Sequence, residues 1–223
     1  MLDYKTLYNS DPFGLLNKKK NSWFLINQRK LSLYHYKYSK NYKLISDNIF
    51  KSISKVKKIS DLPFVHASLF KNFNLISTNN DQKITTFSSS GTTGAKQSKI
   101  NLNPKTSFLQ SKALSKIFSE IINKKKDIFF IENKNFLNSK ESMSAKGAAI
   151  KGFGQLCNNK YFLLDNNNKI NISILKNYLK KNKNNEFIIF GFTSSIWFNL
   201  VTEIKRQKIK LKKNQGIMIH GGG

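Results

Sequence analysis

The chain of 223 residues carries 39 lysine and arginine residues against 12 aspartate and glutamate residues, which gives a formal net charge of +27. Its hydrophobic content of 39%, with 18 phenylalanines, can fill a sizeable core and excludes a chain that is disordered along its whole length. One cysteine, Cys157, excludes an internal disulfide, and the three histidines lack the cysteine partners and spacing of a metal site, so no metal ligands are predicted.

The excess of positive charge comes almost entirely from lysine, since Arg29 and Arg206 are the only arginines. Arginine makes the bidentate contacts that read guanine or clamp phosphate, whereas these lysines are scattered among many asparagines, isoleucines and phenylalanines. We interpret the charge as a compositional bias and expect no specific nucleic-acid partner. A non-enzymatic basic protein that binds polyanions stays open as an alternative from another class.

No segment of the sequence predicts a membrane span. The longest apolar stretch, residues 187–192, is far shorter than the roughly 20 residues that cross a bilayer. The N-terminus has no apolar signal segment. We therefore expect a cytoplasmic protein.

Residues 1–80 predict a helical N-terminal segment. An early helix is expected over residues 22–38. A second helix is expected over 42–56, because Tyr42, Ile45, Ile49, Ile53 and Val56 recur at intervals of three and four residues. Pro63 interrupts the helical pattern, and His66 in the connector that follows is interpreted as a packed structural histidine.

Residues 81–223 predict an α/β domain, incomplete at its C-terminal end, with a layered, mostly parallel sheet and flanking helices. The reason is an alternation of short apolar runs and amphipathic segments. Strands are expected at residues 84–87, 127–132, 187–190 and 216–219, and helices at 104–123, 173–183 and 194–206. Residues 139–154 do not fit the alternation, and the polar residues 165–171 predict an exposed loop.

The segment from residue 88 to residue 99 is the most informative for chemistry. Its hydroxyl side chains, two glycines and following lysines can direct many donors at one anion, as in a phosphate cradle. The glycines are separated by only two threonines, which excludes a Walker-type loop. A serine- and glycine-rich surface turn is the alternative. The predicted phosphate-binding residues are Ser88, Ser89, Ser90, Gly91, Thr92, Thr93, Gly94 and Lys99.

The run Ser-Ser-Gly-Thr-Thr-Gly at residues 89–94 resembles the phosphate-binding signature of adenylate-forming enzymes, the acyl- and aryl-CoA ligase superfamily. Residues 62–65, 69–71, 144–153, 190–194 and 220–223 are similar, in the same order, to successive blocks of the LuxE-type acyl-protein synthetases, the long-chain-fatty-acid protein ligases of bacterial light-emission operons. The resemblance covers roughly residues 62–223. Lys96 and Gln97 stand where the superfamily has Pro-Lys, so the lysine that contacts phosphate is left open.

The resemblance implies the fold of the N-terminal domain of adenylate-forming enzymes and adds tentative pocket residues to the predicted phosphate loop. Residues near the acyl pocket would be Phe192, Thr193 and Ser194. The wall that packs against adenine would begin with His220, Gly221 and Gly222. The catalytic residues are not identified.

The activity implied by the resemblance is ATP- and Mg²⁺-dependent activation of a fatty or other carboxylic acid to an acyl adenylate, followed by transfer to a thiol. The acceptor would be a cysteine in a missing C-terminal part, an acyl carrier protein or an acyl reductase partner. A ligase that loads an acyl carrier protein or coenzyme A is the alternative within the superfamily. The family's later blocks have no counterpart, so we expect a truncated N-terminal portion that is inactive alone. Cys157 is interpreted as a small buried hydrophobe.

Overall fold

A computed structural model of the chain describes residues 2–50, 52–77, 84–88, 97–138, 145–211 and 216–222. The chain divides into two compact units, Met1–Ala113 and Leu114–Gly223. The domain boundary predicted between residues 80 and 81 lies outside the described residues and stays a prediction. Within the described ranges, no helix has both the length and the apolarity that a membrane crossing requires.

The described part of the N-terminal segment is helical, as predicted. Its helices are α1 (Tyr4–Asn9), α2 (Asn17–Tyr38), α3 (Lys40–Ile49) and α4 (Leu69–Asn72), with 3₁₀ turns at Ile53–Lys55 and Ile59–Asp61. Side-chain caps define two of the starts. The Asp3 carboxylate accepts a hydrogen bond from the Thr6 amide, and the Ser39 hydroxyl accepts one from the Tyr42 amide.

Two predictions for the N-terminal segment are wrong. The helix expected over residues 42–56 ends at Ile49, because Phe50 is extended and its ring packs against Phe64. Ile49 is therefore 63% exposed, while Ile53 is buried from a separate 3₁₀ turn. His66 is exposed and its Nδ1 lies 2.7 Å from the Ser68 hydroxyl, so it is not a packed histidine.

A two-stranded antiparallel sheet precedes the long helix α5. Strand β1 (Thr85–Ser88) pairs with β2 (Lys99–Leu102), and Ser88 is in register with Lys99. Helix α5 (Pro104–Ile122) begins as predicted, because the Asn103 side chain accepts a hydrogen bond from the Thr106 amide at 2.8 Å. It ends before Asn123, whose φ of 61° stops helical pairing.

The second unit contains the predicted parallel sheet. Its strands are β3 (Asp127–Asn133), β4 (Lys160–Leu164), β5 (Phe187–Phe192) and β6 (Gly216–Gly221), in the order β4-β3-β5-β6. All three pairs are parallel. Strand β4 was not predicted from the sequence.

Helices cover both faces of this sheet. They are the end of α5, α6 (Ala145–Gln155), α7 (Ile172–Lys181) and a continuous helical stretch after β5, which consists of α8 (Thr193–Ser195), a π-helix (Ile196–Val201) and α9 (Thr202–Arg206). Helix α6 was not predicted, because its glycines lower helix propensity, and packing of Ile150 and Phe153 against the sheet overrides that weak preference. The loop at residues 165–171 is confirmed: its amides at Asn167 and Lys169 donate to the Asp165 carboxylate.

Alternate residues of the central strands enter two separate cores. Ile128 and Phe130 of β3 face one core, and Phe129 and Ile131 face the other. The first core is completed by side chains of α5, α6 and β5 and by Cys157, which follows α6. Cys157 is buried as predicted, and burial raises the pKa of its thiol to about 11. The second core contains residues of α7 and of the helical stretch after β5. Both faces of the sheet are therefore covered, as its apolar runs require.

The strand order creates a crevice at the carboxyl ends of β3 and β5. From β3 the chain continues to β4 on one side, whereas from β5 it continues to β6 on the other side. The connections leaving these neighbouring strands diverge, and open parallel sheets bind ligands at such a switch point.

We expect Gly191→Ala to destabilise the second unit by about 1–3 kcal/mol, because overpacking a core forces its neighbours to move. A Cβ at Gly191 would lie 2.9 Å from the Ile131 Cβ and 3.1 Å from the Ile196 Cγ1. Urea unfolding followed by tryptophan fluorescence measures the change. Gly152→Ala is the matched control, because a Cβ there meets no atom within 4 Å. Equal stability of wild type and Gly191→Ala would contradict this packing constraint.

We expect the N-terminal unit to lose stability as the pH falls below the ordinary histidine pKa of about 6.5. Burial lowers the pKa of His35, whose Nδ1 lies 2.7 Å from the Ser77 hydroxyl. Between the lowered folded pKa and the unfolded pKa, the unfolded chain binds more protons, so the free energy of unfolding rises with pH in this window. Unfolding of wild type and His35→Gln at pH 5 to 8 tests this, and an equal slope for both proteins would contradict it.

Candidate functional site

The predicted phosphate-binding loop falls mostly on residues that the structure does not describe. Ser89, Ser90, Gly91, Thr92, Thr93 and Gly94 lie outside the described residues, and their role stays a prediction. The two flanking members are described. Ser88 ends β1 and Lys99 begins β2, and their pairing holds the two ends of the intervening segment together.

The predicted pocket residues at the ends of β5 and β6 lie close together. Phe192 ends β5 in register with Gly221, and the Thr193 hydroxyl lies 2.9 Å from His220 Nδ1. Gly222 has a φ of 68°, and its Cα is so close to Phe192 that a Cβ would contact the ring at 3.5 Å. Thr193, Ser194 and His220 are all exposed. The polar groups of Thr193 and His220 therefore face a ligand-accessible surface at the carboxyl edge of the sheet.

A cavity of about 560 Å³ opens at the switch point between β3 and β5. Cavities of this volume commonly hold small-molecule ligands. Phe192 is the one predicted pocket residue that lines it. Its walls come from the ends of β3, β4 and β5, from α6, from the 3₁₀ turn Lys134–Asn138, from the loop after β4 and from the helical stretch after β5. The lining residues are Ile131, Glu132, Asn133, Asn135, Phe136, Lys146, Ile150, Leu164, Asn166, Asn168, Phe190, Gly191, Phe192, Ser195 and Asn199.

An ion pair between Glu132 and Lys146 lies in the wall of this cavity. Lys146 Nζ is 2.6 Å from Glu132 Oε2, and the two side chains are 25% and 13% exposed. The other oxygen of Glu132 accepts a hydrogen bond from the Asn133 amide at 3.0 Å. The ammonium also lies 4.3 Å from the ring centre of Phe136 and 5.3 Å from that of Phe192. These contacts fix a positive and a negative group side by side at the end of β3.

Amides and a hydroxyl form the rest of the polar wall. The Asn135 side chain donates to the Asn166 side chain at 2.9 Å, which links the turn after β3 to the loop after β4. Asn199 donates to the Ser195 hydroxyl at 3.3 Å on the opposite side. Phe190 and Ile150 provide apolar surface between these groups. The cavity thus suits a small ligand that has both apolar and hydrogen-bonding parts.

Sequence reasoning missed Glu132 and Lys146 as site residues. Glu132 follows the apolar run of β3, where carboxyl-end residues of a parallel strand commonly meet ligands, so its position was an available signal. Lys146 lies in the block of residues 144–153 that resembles the family. Only the folded position of α6 shows that its ammonium reaches Glu132 on β3. Within the described ranges, no group of three His, Cys, Asp or Glu side chains comes together at a metal-binding distance.

No curated protein sequence matches the chain. One solved structure that matches is the crystal structure of 2-hydroxyisobutyryl-CoA ligase in the postadenylation state in complex with 2-HIB-AMP, with a TM-score of 0.59 and 12% identity. The match covers 93% of this chain but 44% of the ligase, and at this identity it establishes the fold alone.

The family model described as acyl-protein synthetase, LuxE, matches residues 3–223. This match extends over both units of the structure, including the cavity and the ends of all four parallel strands. The chain therefore belongs to the LuxE acyl-protein synthetase family.

Proposed function

We propose that the chain provides the nucleotide- and acid-binding part of a ligase that activates a carboxylic acid with ATP and transfers the acyl group to a thiol. The observation that carries this proposal is the cavity at the switch point, which is lined by Phe192, whose ring also lies beside Gly222 after the end of β6. Membership of the acyl-protein synthetase family and the ligase-like fold support it. This chain spans less than half of the matched ligase, so the complete reaction is part of the proposal.

The phosphates of ATP are assigned to residues 88–94, with Lys99 as a nearby cation. The support for this assignment is the strand pairing of Ser88 with Lys99, which brings both ends of a hydroxyl-rich segment to one place. Backbone amides and hydroxyls that converge on one point stabilise the negative charge of phosphate oxygens. Mg²⁺ would bind phosphate oxygens and neutralise part of their charge.

The adenine is assigned to the surface formed by His220, Gly221 and Gly222, and the acid to the cavity beside Phe192. In the first step, a carboxylate oxygen attacks the α-phosphorus, the bond to the β-phosphate oxygen breaks, and pyrophosphate leaves. In the second step, a thiolate attacks the acyl carbonyl carbon and AMP leaves, which gives a thioester. Cys157 does not suit the acceptor role, because it is buried and its thiol pKa is raised to about 11.

These assignments do not identify the thiol that accepts the acyl group. A cysteine elsewhere in a longer chain, an acyl carrier protein, an acyl reductase partner and coenzyme A all supply the same nucleophile. Incubation with ATP, a radiolabelled acid and each acceptor, followed by isolation of the thioester, distinguishes them.

We expect replacement of Thr92 and Thr93 by valine to weaken ATP binding at least about tenfold. Each change removes a threonine hydroxyl that would donate a hydrogen bond to the charged phosphates. Calorimetric titration of the 223-residue chain with ATP and Mg²⁺ measures the change. Thr106→Val is the control, since Thr106 is exposed in the first turn of α5, outside the loop. Unchanged ATP affinity in the double variant would reject the loop assignment.

We expect His220→Ala to weaken ATP binding by about three- to tenfold, because it removes a ring that would pack on adenine and a polar partner of Thr193. The same titration with pyrophosphate in place of ATP separates the two assignments, since the variant should keep its pyrophosphate affinity. His66→Ala is the control for loss of an exposed imidazole. An ATP affinity equal to that of wild type would place adenine elsewhere.

A further inference from the structure

We infer that the helical stretch after β5 docks on an anionic lipid surface through the side chains of Trp197 and Phe198, without crossing the membrane. The inference goes beyond the proposed function, because contact with lipid would hold or fail whether or not the cavity binds an acid. It concerns the outer side of the same helical stretch that lines the cavity.

Two consecutive aromatic side chains project from this helical stretch. Trp197 is 56% exposed and Phe198 is 71% exposed. Their neighbours Ile196 and Leu200 are buried in the second core, so the helix is fixed to the sheet by another side. The outward positions of a surface helix are ordinarily polar. Contiguous exposed apolar groups mark a surface that contacts a partner.

The backbone at this position also supports a functional role. Residues Ile196–Val201 form a π-helix, and the Thr202 hydroxyl that follows donates to the Trp197 carbonyl at 3.1 Å. Such π-helical turns are rare and are frequent at functional sites. Ser195 and Asn199 line the cavity on one side of this stretch, whereas Trp197 is exposed on another. One short segment therefore carries both cavity-lining and outward-facing groups.

Cations lie beside the aromatic pair. The Lys205 ammonium is 5.3 Å from the centre of the Trp197 ring. Residues 197–211 contain four basic residues and one acidic residue. That acidic residue, Glu203, accepts two hydrogen bonds from the Arg206 guanidinium, at 2.9 and 2.6 Å. The surface around the rings is therefore positive, and it attracts an anionic partner.

An anionic lipid surface matches both features. Aromatic rings are favoured at the boundary between headgroups and acyl chains, where the indole N–H of tryptophan keeps a polar partner. Lysine stems lie along apolar surface while their ammonium groups reach anionic headgroups. Lysine alone would not identify this surface, because lysines are scattered over the whole chain. The combination of exposed aromatic rings with lysine is typical of interfacial membrane anchors.

The position beside the cavity gives the docking a role in the proposed reaction. A helix with its side chains is about 10 Å across, so a lipid surface at Trp197 lies within about one helix width of Ser195 and Asn199. Long-chain acids dissolve in lipid, because burial of each methylene is favourable. A fatty acid, the class that the sequence resemblance implies, would thus be supplied close to the cavity. This role rests on the proposed function, whereas the docking itself does not.

The test is binding of the 223-residue chain to vesicles of equal parts phosphatidylglycerol and phosphatidylcholine, measured by cosedimentation. We expect Trp197→Gln/Phe198→Gln to weaken binding about tenfold or more, because two rings no longer leave water. Phe108→Gln is the matched control and should bind like wild type, since Phe108 is a 67% exposed ring on α5. All three positions are exposed and glutamine is a good helix former, so the fold is kept.

Lysine variants and salt separate docking from general attraction by the net charge. Lys205→Gln should weaken vesicle binding about three- to fivefold, because each lysine close to an anionic surface contributes to binding. Lys180→Gln, at an exposed position of α7, is its matched control and should weaken binding less than about twofold. At about 0.5 M salt, where charges are screened beyond about 4 Å, wild type should still bind and the double aromatic variant should not.

Tryptophan fluorescence reports insertion directly. The chain has two tryptophans, and the indole of Trp23 donates a hydrogen bond to the Asp3 carboxylate at 3.2 Å. In Trp23→Phe, Trp197 is the remaining tryptophan, and vesicles should shift its emission to shorter wavelength. Lipids brominated in the acyl chain should quench this emission. Polyglutamate, a soluble polyanion, should bind without the shift.

Four results would overturn the inference. They are no binding to the vesicles, equal binding by wild type and the double aromatic variant, Trp197 emission that vesicles leave unchanged, and polyglutamate binding that depends on the aromatic pair as strongly as vesicle binding does. The last result would assign the surface to an acidic protein.

ATP binding is measured separately, without vesicles. If the chain binds vesicles but not ATP, the docking stands and the proposed function fails. If it binds ATP but not vesicles, the proposed function stands and this inference fails.

Discussion

The structure of the second unit depends on the burial of β3 and β5 on both faces. Phe129 and Phe130 are fully buried on opposite sides of the same strand, so each needs its own layer of covering side chains. Parallel pairing forces long crossovers, and those crossovers supply the helices of both layers. Because the chain leaves β3 and β5 in opposite directions, the two layers separate at the carboxyl edge. The cavity is a consequence of this strand order.

The Glu132–Lys146 pair in the cavity wall is partly exposed, at 13% and 25%, so it contributes little to stability by itself. Two apolar side chains of similar volume often stabilise a fold as well as a buried ion pair does, because removing both charges from water costs several kcal/mol. Glu132 and Lys146 offset part of that cost through each other, the Asn133 amide and two aromatic rings. Both side chains line an open cavity, so a polar ligand can reach them.

The sequence was most informative where one local signal dominated. The apolar runs at β3 and β5 predicted a doubly covered parallel sheet, and Asn103 with Pro104 predicted the start of α5; all are present. Strand β4 was missed because only Leu163 is fully buried along it, and α6 because its glycines hide a helix that tertiary packing stabilises. The Glu132–Lys146 pair joins two elements whose proximity no local pattern encodes. Residues 89–94 lie outside the described structure, so the most specific motif stays a prediction.

Phe192 connects the two parts of the candidate site. One part of its ring lies beside Gly222, at the surface assigned to adenine, and the ring centre is 5.3 Å from the Lys146 ammonium in the cavity assigned to the acid. A nucleotide on the first surface and an acid in the cavity would approach each other across this ring. Adenylation requires that meeting, because the carboxylate oxygen must reach the α-phosphorus in line with the leaving pyrophosphate. The nucleotide and acid assignments rest on different residues, yet the position of Phe192 makes them compatible with one reaction.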